Sequence, residues 1–278
     1  MCVGTEAGWA KELERRREHY TSSPISRARA TTHTRRMDSA TSKAALDALA
    51  AHTAAVAKLR EDLTTQSTAV KRLRSELLKS AARSKLAEIM TGRVPLPSGA
   101  LASETDDPRL NLPAIISRTG RLQLGDLGTV GSLLEGDGGE RFDAHMAAHP
   151  VSAVLVCLGG GAAKAVKKEF DKKGLTYLDL DGCVDEEGYA LIANHEQAAC
   201  AFIKEQLAKA APSKGSVLVH CHEGKNRSAA LVVAYLMVEE RMSLYEAVEQ
   251  VWSRRPIVLS NDSFVDQLID LAEREGLL

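Results

Sequence analysis

The stretch that decides the fold is Val217-Leu218-Val219-His220-Cys221-His222-Glu223-Gly224-Lys225-Asn226-Arg227-Ser228. Its first three residues predict a buried strand, the middle predicts a tight loop, and the apolar residues that follow to Met237 predict a helix. The N–H groups of such a loop can converge on one anion, and the positive end of the helix dipole faces the same point. That field favours the nucleophilic thiolate of Cys221, while the planar fork of Arg227 matches two phosphoryl oxygens. The stretch therefore predicts a phosphate-binding loop around a cysteine nucleophile.

This loop resembles the signature loop of the cysteine-dependent protein phosphatases, and within them the dual-specificity group. Three C-terminal segments are also similar to that family, which has Arg-Pro, Asn-x-Gly-Phe and Gln-Leu there. In this chain they are Arg254-Arg255-Pro256, Asn261-Asp262-Ser263-Phe264 (with Ser263 in place of Gly) and Gln267-Leu268. The resemblance covers residues 115–278. It implies an α/β fold with a mostly parallel central sheet flanked by helices, and hydrolysis through a phosphocysteine without metal or cofactor.

Roles within the loop follow from its geometry and from the resemblance. Cys221 is the expected nucleophile, Arg227 binds the phosphate, and Ser228 can hydrogen-bond the sulfur as it departs. His220 is expected to support the loop's shape. The expected substrate-binding residues are His222, Glu223, Gly224, Lys225 and Asn226. The resemblance further implies that Asn261 braces the loop, although an Asn at this position is also a typical helix N-cap.

A general acid is needed to protonate the leaving oxygen. Candidate carboxylates lie in Asp179-Leu180-Asp181-Gly182-Cys183-Val184-Asp185-Glu186-Glu187. The dual-specificity family carries its acid on the loop after a Tyr-containing strand, and a strand holding Tyr177 points to Asp185. Asp181 is the alternative, and any one of these acids could instead be a solvated loop residue.

Strand and helix patterns alternate along the second half of the chain, which indicates a mostly parallel sheet covered on both faces. Strands are predicted at 122–125, 151–158 and 176–180. Helices are predicted at about 141–149, 162–172 and 189–210. Five glycines between residues 128 and 139 predict a loop there.

The first half of the chain has a different composition. Residues 1–40 are expected to be a disordered basic tail, 41–92 a long helix, 93–114 a linker and 115–278 the catalytic domain. Within the helix, apolar residues recur every seven positions: Leu49, Val56, Leu63, Val70 and Leu77. This pattern predicts either an amphipathic helix lying on the catalytic domain or a coiled coil, formed with a second copy or with a partner helix through residues 42–90.

The five cysteines, Cys2, Cys157, Cys183, Cys200 and Cys221, are odd in number and scattered, which favours a reducing compartment. No apolar run is long enough to span a membrane, and no secretory signal precedes the helix. We therefore expect a cytoplasmic or nuclear protein. Lipid-phosphatase relatives carry a resolving cysteine at the position that matches Cys157; an inert core cysteine is the alternative.

Charge is distributed unevenly. Residues 1–93 carry 18 Lys and Arg against 10 Asp and Glu, whereas residues 94–278 carry 18 against 27. An acidic catalytic half disfavours polyanionic partners such as nucleic acid. We therefore predict a phosphoprotein substrate, phosphorylated on Tyr, Ser or Thr. The alternatives are a phosphatase of an inositol phosphate, a lipid head group or an RNA 5′ end, and a non-catalytic phospho-binding scaffold.

Overall fold

The computed structural model describes residues 39–91, 112–117, 119–161, 164, 166–209 and 215–278. Two compact units divide the chain, Met1–Ala69 and Val70–Leu278. The predicted basic tail (apart from residues 39 and 40, which are helical), residue 92 and residues 93–111 of the predicted linker lie outside the described residues. Helix α1 spans Ser39–Thr91, so its first part belongs to the first unit and its last turns to the second.

A five-stranded sheet forms the centre of the second unit. Its strands are β1 (Ala114–Ile115), β2 (Leu122–Gly125), β3 (Val151–Val156), β4 (Thr176–Asp179) and β5 (Ser216–His220), in the spatial order β1-β2-β5-β3-β4. Only β1 runs antiparallel to its neighbour within this described sheet, so the predicted mostly parallel sheet is confirmed. Central β5 is buried at every position and places the residue after it, Cys221, at the carboxyl edge of the sheet.

Seven helices follow α1 in the described residues. They are α2 (Leu127–Glu135), α3 (Gly139–Ala148), α4 (Lys167–Lys173), α5 (Leu191–Lys209), α6 (Arg227–Val238), α7 (Leu244–Trp252) and α8 (Asp262–Glu275). On one face of the sheet, Leu155 and Val219 join a core with α5 to α8. On the other face, Val154 and Leu218 pack with Val130 of α2 and Phe170 of α4. Alternate side chains of β3 and β5 therefore pack into two different cores, one on each face of the sheet, as expected for strands buried on both faces.

Most of the glycine-rich segment that was predicted to be a loop lies in helix α2, so that prediction was wrong for residues 128–135; only residues 136–138 form a connection, between α2 and α3. Asp126 caps this helix, because its Oδ1 accepts from the Thr129 N–H at 2.8 Å, and Thr129 completes a capping box. Each glycine inside a helix costs about 1 kcal/mol relative to Ala. Capping and the burial of Val130 against the sheet offset that cost.

The last turns of α1 pack within the second unit. Ala82 and Leu86 are 2% exposed and belong to the main core. Lys79 and Arg83 form ion pairs with Asp270 and Asp266 of α8 at 2.7 and 2.6 Å. This part of the helix is therefore built into the second unit. No helix in the described part of the chain is both long and apolar enough to cross a membrane.

Candidate active site

The loop between β5 and α6 surrounds Cys221. The side chain of this cysteine is 1% exposed, and Ser228 Oγ donates a hydrogen bond to its sulfur at 3.2 Å. Helix α6 begins at Arg227, so its N–H groups open toward the loop. The sequence motif therefore folds into a cradle with the sulfur at the bottom and a hydroxyl donor beside it.

Arg227 forms one wall of this cradle. Its Nη1 donates to the carbonyl of Cys183 at 3.3 Å, and its Nε lies 3.5 Å from Asp185 Oδ2. That Nε is buried and makes no hydrogen bond among the described atoms. The loop after β4 thus orients the guanidinium, and the Nε–H group remains able to donate a hydrogen bond.

Of the two candidate general acids, Asp185 lies at the site. It lines the cleft above the loop, together with Arg227 and Asn226. Asp181 is exposed, does not line that cleft, and accepts the N–H of Gly182 at 3.1 Å. The structure therefore brings Asp185, and not Asp181, to Arg227.

A close backbone approach holds the loop that carries Asp185. A Cβ on Gly159 would lie 2.9 Å from both the N and the O of Cys183, and Gly159 has φ of 69°. No other residue fits there without moving one of these chains. Gly159 follows β3, so the sheet itself positions the carbonyl of Cys183 that receives Arg227.

Asn261 connects α8 to both sides of the site. Its backbone N–H donates to Asn226 Oδ1 at 3.2 Å, and its side-chain Nδ2 donates to Asp185 Oδ1 at 3.2 Å. The same side chain caps α8, since Oδ1 accepts the N–H of Ser263 at 3.1 Å. The predicted loop contact and the alternative helix cap are thus both present in one residue, with the loop contact made by its backbone.

Arg255 supports the loop from below, a role that the sequence analysis missed. It is 1% exposed; its Nε donates to the carbonyl of Gly224 at 3.0 Å, and its Nη2 to that of Glu223 at 3.1 Å. Nη2 also pairs with Asp126 Oδ2 at 2.9 Å. Arg255 precedes Pro256 in the Arg-Pro pair that resembles the family, and this was the sequence feature that could have indicated its role.

Gly224 is required where the loop passes over β2. Its φ is 67°, and a Cβ there would lie 2.5 Å from the carbonyl oxygen of Gly125 and 2.7 Å from Arg255 Nη2. A side chain at this position would therefore displace the brace as well as strain the backbone.

Comparisons with known proteins find similarity to phosphatases. The family described as dual specificity phosphatase, catalytic domain, matches residues 146–274. Dual specificity protein phosphatase 1 from Arabidopsis thaliana is 53% identical over 57 residues, 20% of this chain and 29% of that protein. Dual specificity protein phosphatase 26 from Bos taurus is 35% identical over 111 residues, 40% of this chain and 50% of that protein. Residues 146–274 are a dual specificity phosphatase catalytic domain.

The crystal structure of human DUSP28 has 23% sequence identity and a TM-score of 0.44, and the match covers 59% of this chain and 95% of that one. This chain spans half or less of the length of the curated relatives named above. The family match begins near the end of α3 and runs almost to the end of α8, so α1, β1, β2 and α2 lie outside it.

His220 lies directly before Cys221 in this phosphatase domain. Burial lowers the pKa of His220 to about 4, so the imidazole is neutral near pH 7. Its Nδ1 lies 3.4 Å from the carbonyl of Cys221, and its Nε2 has no hydrogen-bond partner among the described atoms. A neutral, enclosed ring fits a support for the loop and not a charged partner of the sulfur.

The rim of the phosphatase cleft is mainly acidic. Glu223 and His222 are exposed, and Lys225 Nζ pairs with Glu223 Oε2 at 3.1 Å. Glu187, which the sequence analysis treated as a solvated loop acid, also lines the cleft. Three carboxylates (Asp185, Glu187 and Glu223) and two cations therefore border the phosphate position.

Cys157 and Cys183 are buried free thiols of the phosphatase domain. Cys157 follows β3, and its N–H donates to the carbonyl of His220 at 2.9 Å, so it neighbours the catalytic strand as expected. Burial raises the pKa of Cys157 well above its ordinary value and that of Cys183 to about 12. Both are therefore protonated near pH 7. Among the described residues, no group of three or more His, Cys, Asp or Glu could hold a metal ion.

Proposed function

We propose that this chain hydrolyses phosphomonoesters of proteins, on Tyr, Ser and Thr, through a phosphocysteine intermediate. The observation that carries the proposal is the grouping at one loop of Cys221, whose sulfur accepts from Ser228 at 3.2 Å, and Arg227, whose Nε lies 3.5 Å from Asp185. This arrangement supplies a nucleophile, a phosphate-binding cation and a carboxylic acid in one cleft.

In the first step, the thiolate of Cys221 attacks phosphorus. A P–S bond forms as the P–O bond to the substrate breaks, and Asp185 gives its proton to the departing oxygen. Arg227 and the loop N–H groups stabilise the charge on the phosphoryl oxygens as it develops. When phosphate takes the fork of Arg227, Asp185 loses its ionic partner and can face the leaving group.

In the second step, water attacks the phosphocysteine. Asp185, now a carboxylate, removes the water's proton, and the P–S bond breaks to release inorganic phosphate. The sulfur leaves as a thiolate, which the hydroxyl of Ser228 stabilises by the hydrogen bond at 3.2 Å. No redox change or cofactor is needed for either step.

The acidic rim supports a protein substrate over a polyphosphorylated small molecule. An inositol phosphate would bring several further negative charges beside Glu187 and Glu223, both of which line the cleft. A phosphopeptide brings one phosphate and flanking residues that can be neutral or basic, so it avoids that repulsion.

Phosphate release from phosphopeptides and from inositol phosphates, measured side by side on the full chain, tests this proposal. We expect hydrolysis of the peptides at a kcat/KM at least tenfold above that of the inositol phosphates, with Cys221→Ser inactive on both. A preference for inositol phosphates would reject the protein substrate. Inactivity toward both, together with phosphopeptide binding, would instead support a scaffold.

A further inference from the structure

Helix α1 exposes an unusual amount of apolar surface. Eight of the ten large apolar side chains that are exposed in the described residues belong to it, and Leu63 is 68% exposed. The eight are Leu46, Leu49, Val56, Leu59, Leu63, Val70, Leu73 and Leu77. A row of this kind marks an interaction surface more often than a solvated face.

A 14-residue alternation runs along this row. One seam position is apolar in every heptad, whereas the other alternates between leucine and a polar residue: His52, Leu59, Gln66, Leu73 and Ser80. Two copies aligned in parallel without offset would set Leu59 against Leu59 and Gln66 against Gln66. An offset of seven residues would set each leucine of this position against a polar residue, and an offset of fourteen would keep only one leucine pair there. The alignment without offset therefore pairs the most leucines.

Charges beside the seam distinguish the two orientations. Two antiparallel alignments pair the most leucines. In one, Arg60 faces Arg60 of the second copy and Asp62 faces Asp62; in the other, Arg60 faces Arg74 and Asp62 faces Glu76. In the parallel alignment, Asp62 faces Ser67 and Glu76 faces Ala81, so no like charges meet. The absence of like-charge repulsion therefore favours the parallel alignment.

The part of α1 in the second unit has a depression that could accept a side chain from a second helix. A surface depression is lined by Val70, Leu73, Arg74, Leu77 and Leu78. The first four are spaced i, i+3, i+4 and i+7, which is the four-residue hole that accepts one side chain in a coiled coil. In a parallel pair without offset, the side chain that enters is Leu73 of the second copy.

We propose that α1 forms a parallel, in-register, two-stranded coiled coil with a second copy of this chain. The polar seam residues make the pair weaker than an all-leucine seam and fix its register. The phosphatase domain is thereby dimeric through a helix outside the residues that the family match covers.

Light scattering on the full chain, coupled to gel filtration, measures the assembly. We expect a mass twice the 29.9 kDa of one chain. Leu63→Glu, which places a charge in the seam, is expected to give the single-chain mass, whereas Ala54→Glu on the outer face is expected to remain dimeric. A single-chain mass for the unsubstituted protein would overturn the proposal and leave a different partner helix as the occupant. So would a dimer that withstands Leu63→Glu.

Cysteine cross-linking tests orientation and register. Under mild oxidation, Gln66→Cys is expected to form a disulfide-linked dimer, because the two side chains at this position face each other. Thr68→Cys, on the outer face, is expected to stay unlinked, and the unsubstituted chain is the blank for its own cysteines. A dimer in which Gln66→Cys fails to cross-link would overturn the parallel, in-register arrangement.

Discussion

The side-chain amide of Asn261 donates to the carboxylate of Asp185 at 3.2 Å, from a residue that also caps helix α8. One side chain thus links the N-terminus of a helix to the candidate general acid. Because Asp185 is on a loop, this contact and the ion pair with Arg227 define where its carboxylate lies.

Asn261→Ser separates these two roles. Serine keeps an oxygen that can cap the helix, so the free energy of unfolding should fall by only a few tenths of a kcal/mol. The donor to Asp185 is lost, so kcat should fall about tenfold for alkyl phosphates such as phosphoserine, which need a proton on the leaving oxygen. An aryl phosphate with an acidic leaving group should be nearly unaffected. Equal losses on both substrates would contradict the positioning role.

Arg255→Ala removes the brace beneath the loop. The change leaves Asp126 without its partner and frees two loop carbonyls, so we expect a loss of about 3 kcal/mol in the free energy of unfolding. Urea titration measures it. Arg254→Ala is the matched control, since that neighbouring residue is exposed, and its change should stay within about 0.5 kcal/mol. Similar values for the two variants would contradict the brace.

His220 makes stability depend on pH in a defined direction. Its pKa in the folded chain is lowered from 6.5 to about 4, so the unfolded chain binds more protons between these values. Keeping His220 neutral costs the folded chain nothing above pH 6.5. As the pH falls from 6.5 toward 4, the free energy of unfolding decreases by about 3 kcal/mol in all. His145 and His195 have pKa values lowered by burial and add to the same trend.

The effect of His220 can be isolated by comparing the free energy of unfolding of His220→Asn with that of the parent chain between pH 4 and 7. The variant should show a flatter dependence, whereas exposed His222→Asn should follow the parent. An identical slope in His220→Asn and the parent would show that the ring is not held neutral by burial.

The acidic rim predicts a preference among phosphopeptides. Basic residues beside the phosphorylated residue should raise kcat/KM about twofold to fivefold over acidic ones, as expected for exposed charge pairs. Glu223→Gln and Glu187→Gln should reduce that ratio. Glu186→Gln changes the same charge in the same loop without lining the cleft, so it should leave the ratio unchanged. A ratio insensitive to Glu223 and Glu187 would contradict the assignment of the rim.

The sequence predicted the loop around Cys221 and the strands beside it because those features are local. A Cys and an Arg at loop spacing between a strand and a helix leave few alternatives. Asp185 was reached through a resemblance, and its position beside Arg227 depends on contacts across 42 residues of sequence. Arg255 was missed because its partner Asp126 is 129 residues away. Helix α2 was missed because the stabilising cap and the burial of Val130 outweigh its glycines.

The central claim is that Cys221 carries the phosphoryl group during turnover. Acid quenching of the full chain during hydrolysis of an aryl phosphate, followed by peptide mass mapping, tests it directly. We predict a phosphate adduct on the peptide that contains Cys221, no adduct and no turnover in Cys221→Ser, and a longer-lived adduct in Ser228→Ala. Turnover by Cys221→Ser at the parent rate, or an adduct on another residue, would contradict the account.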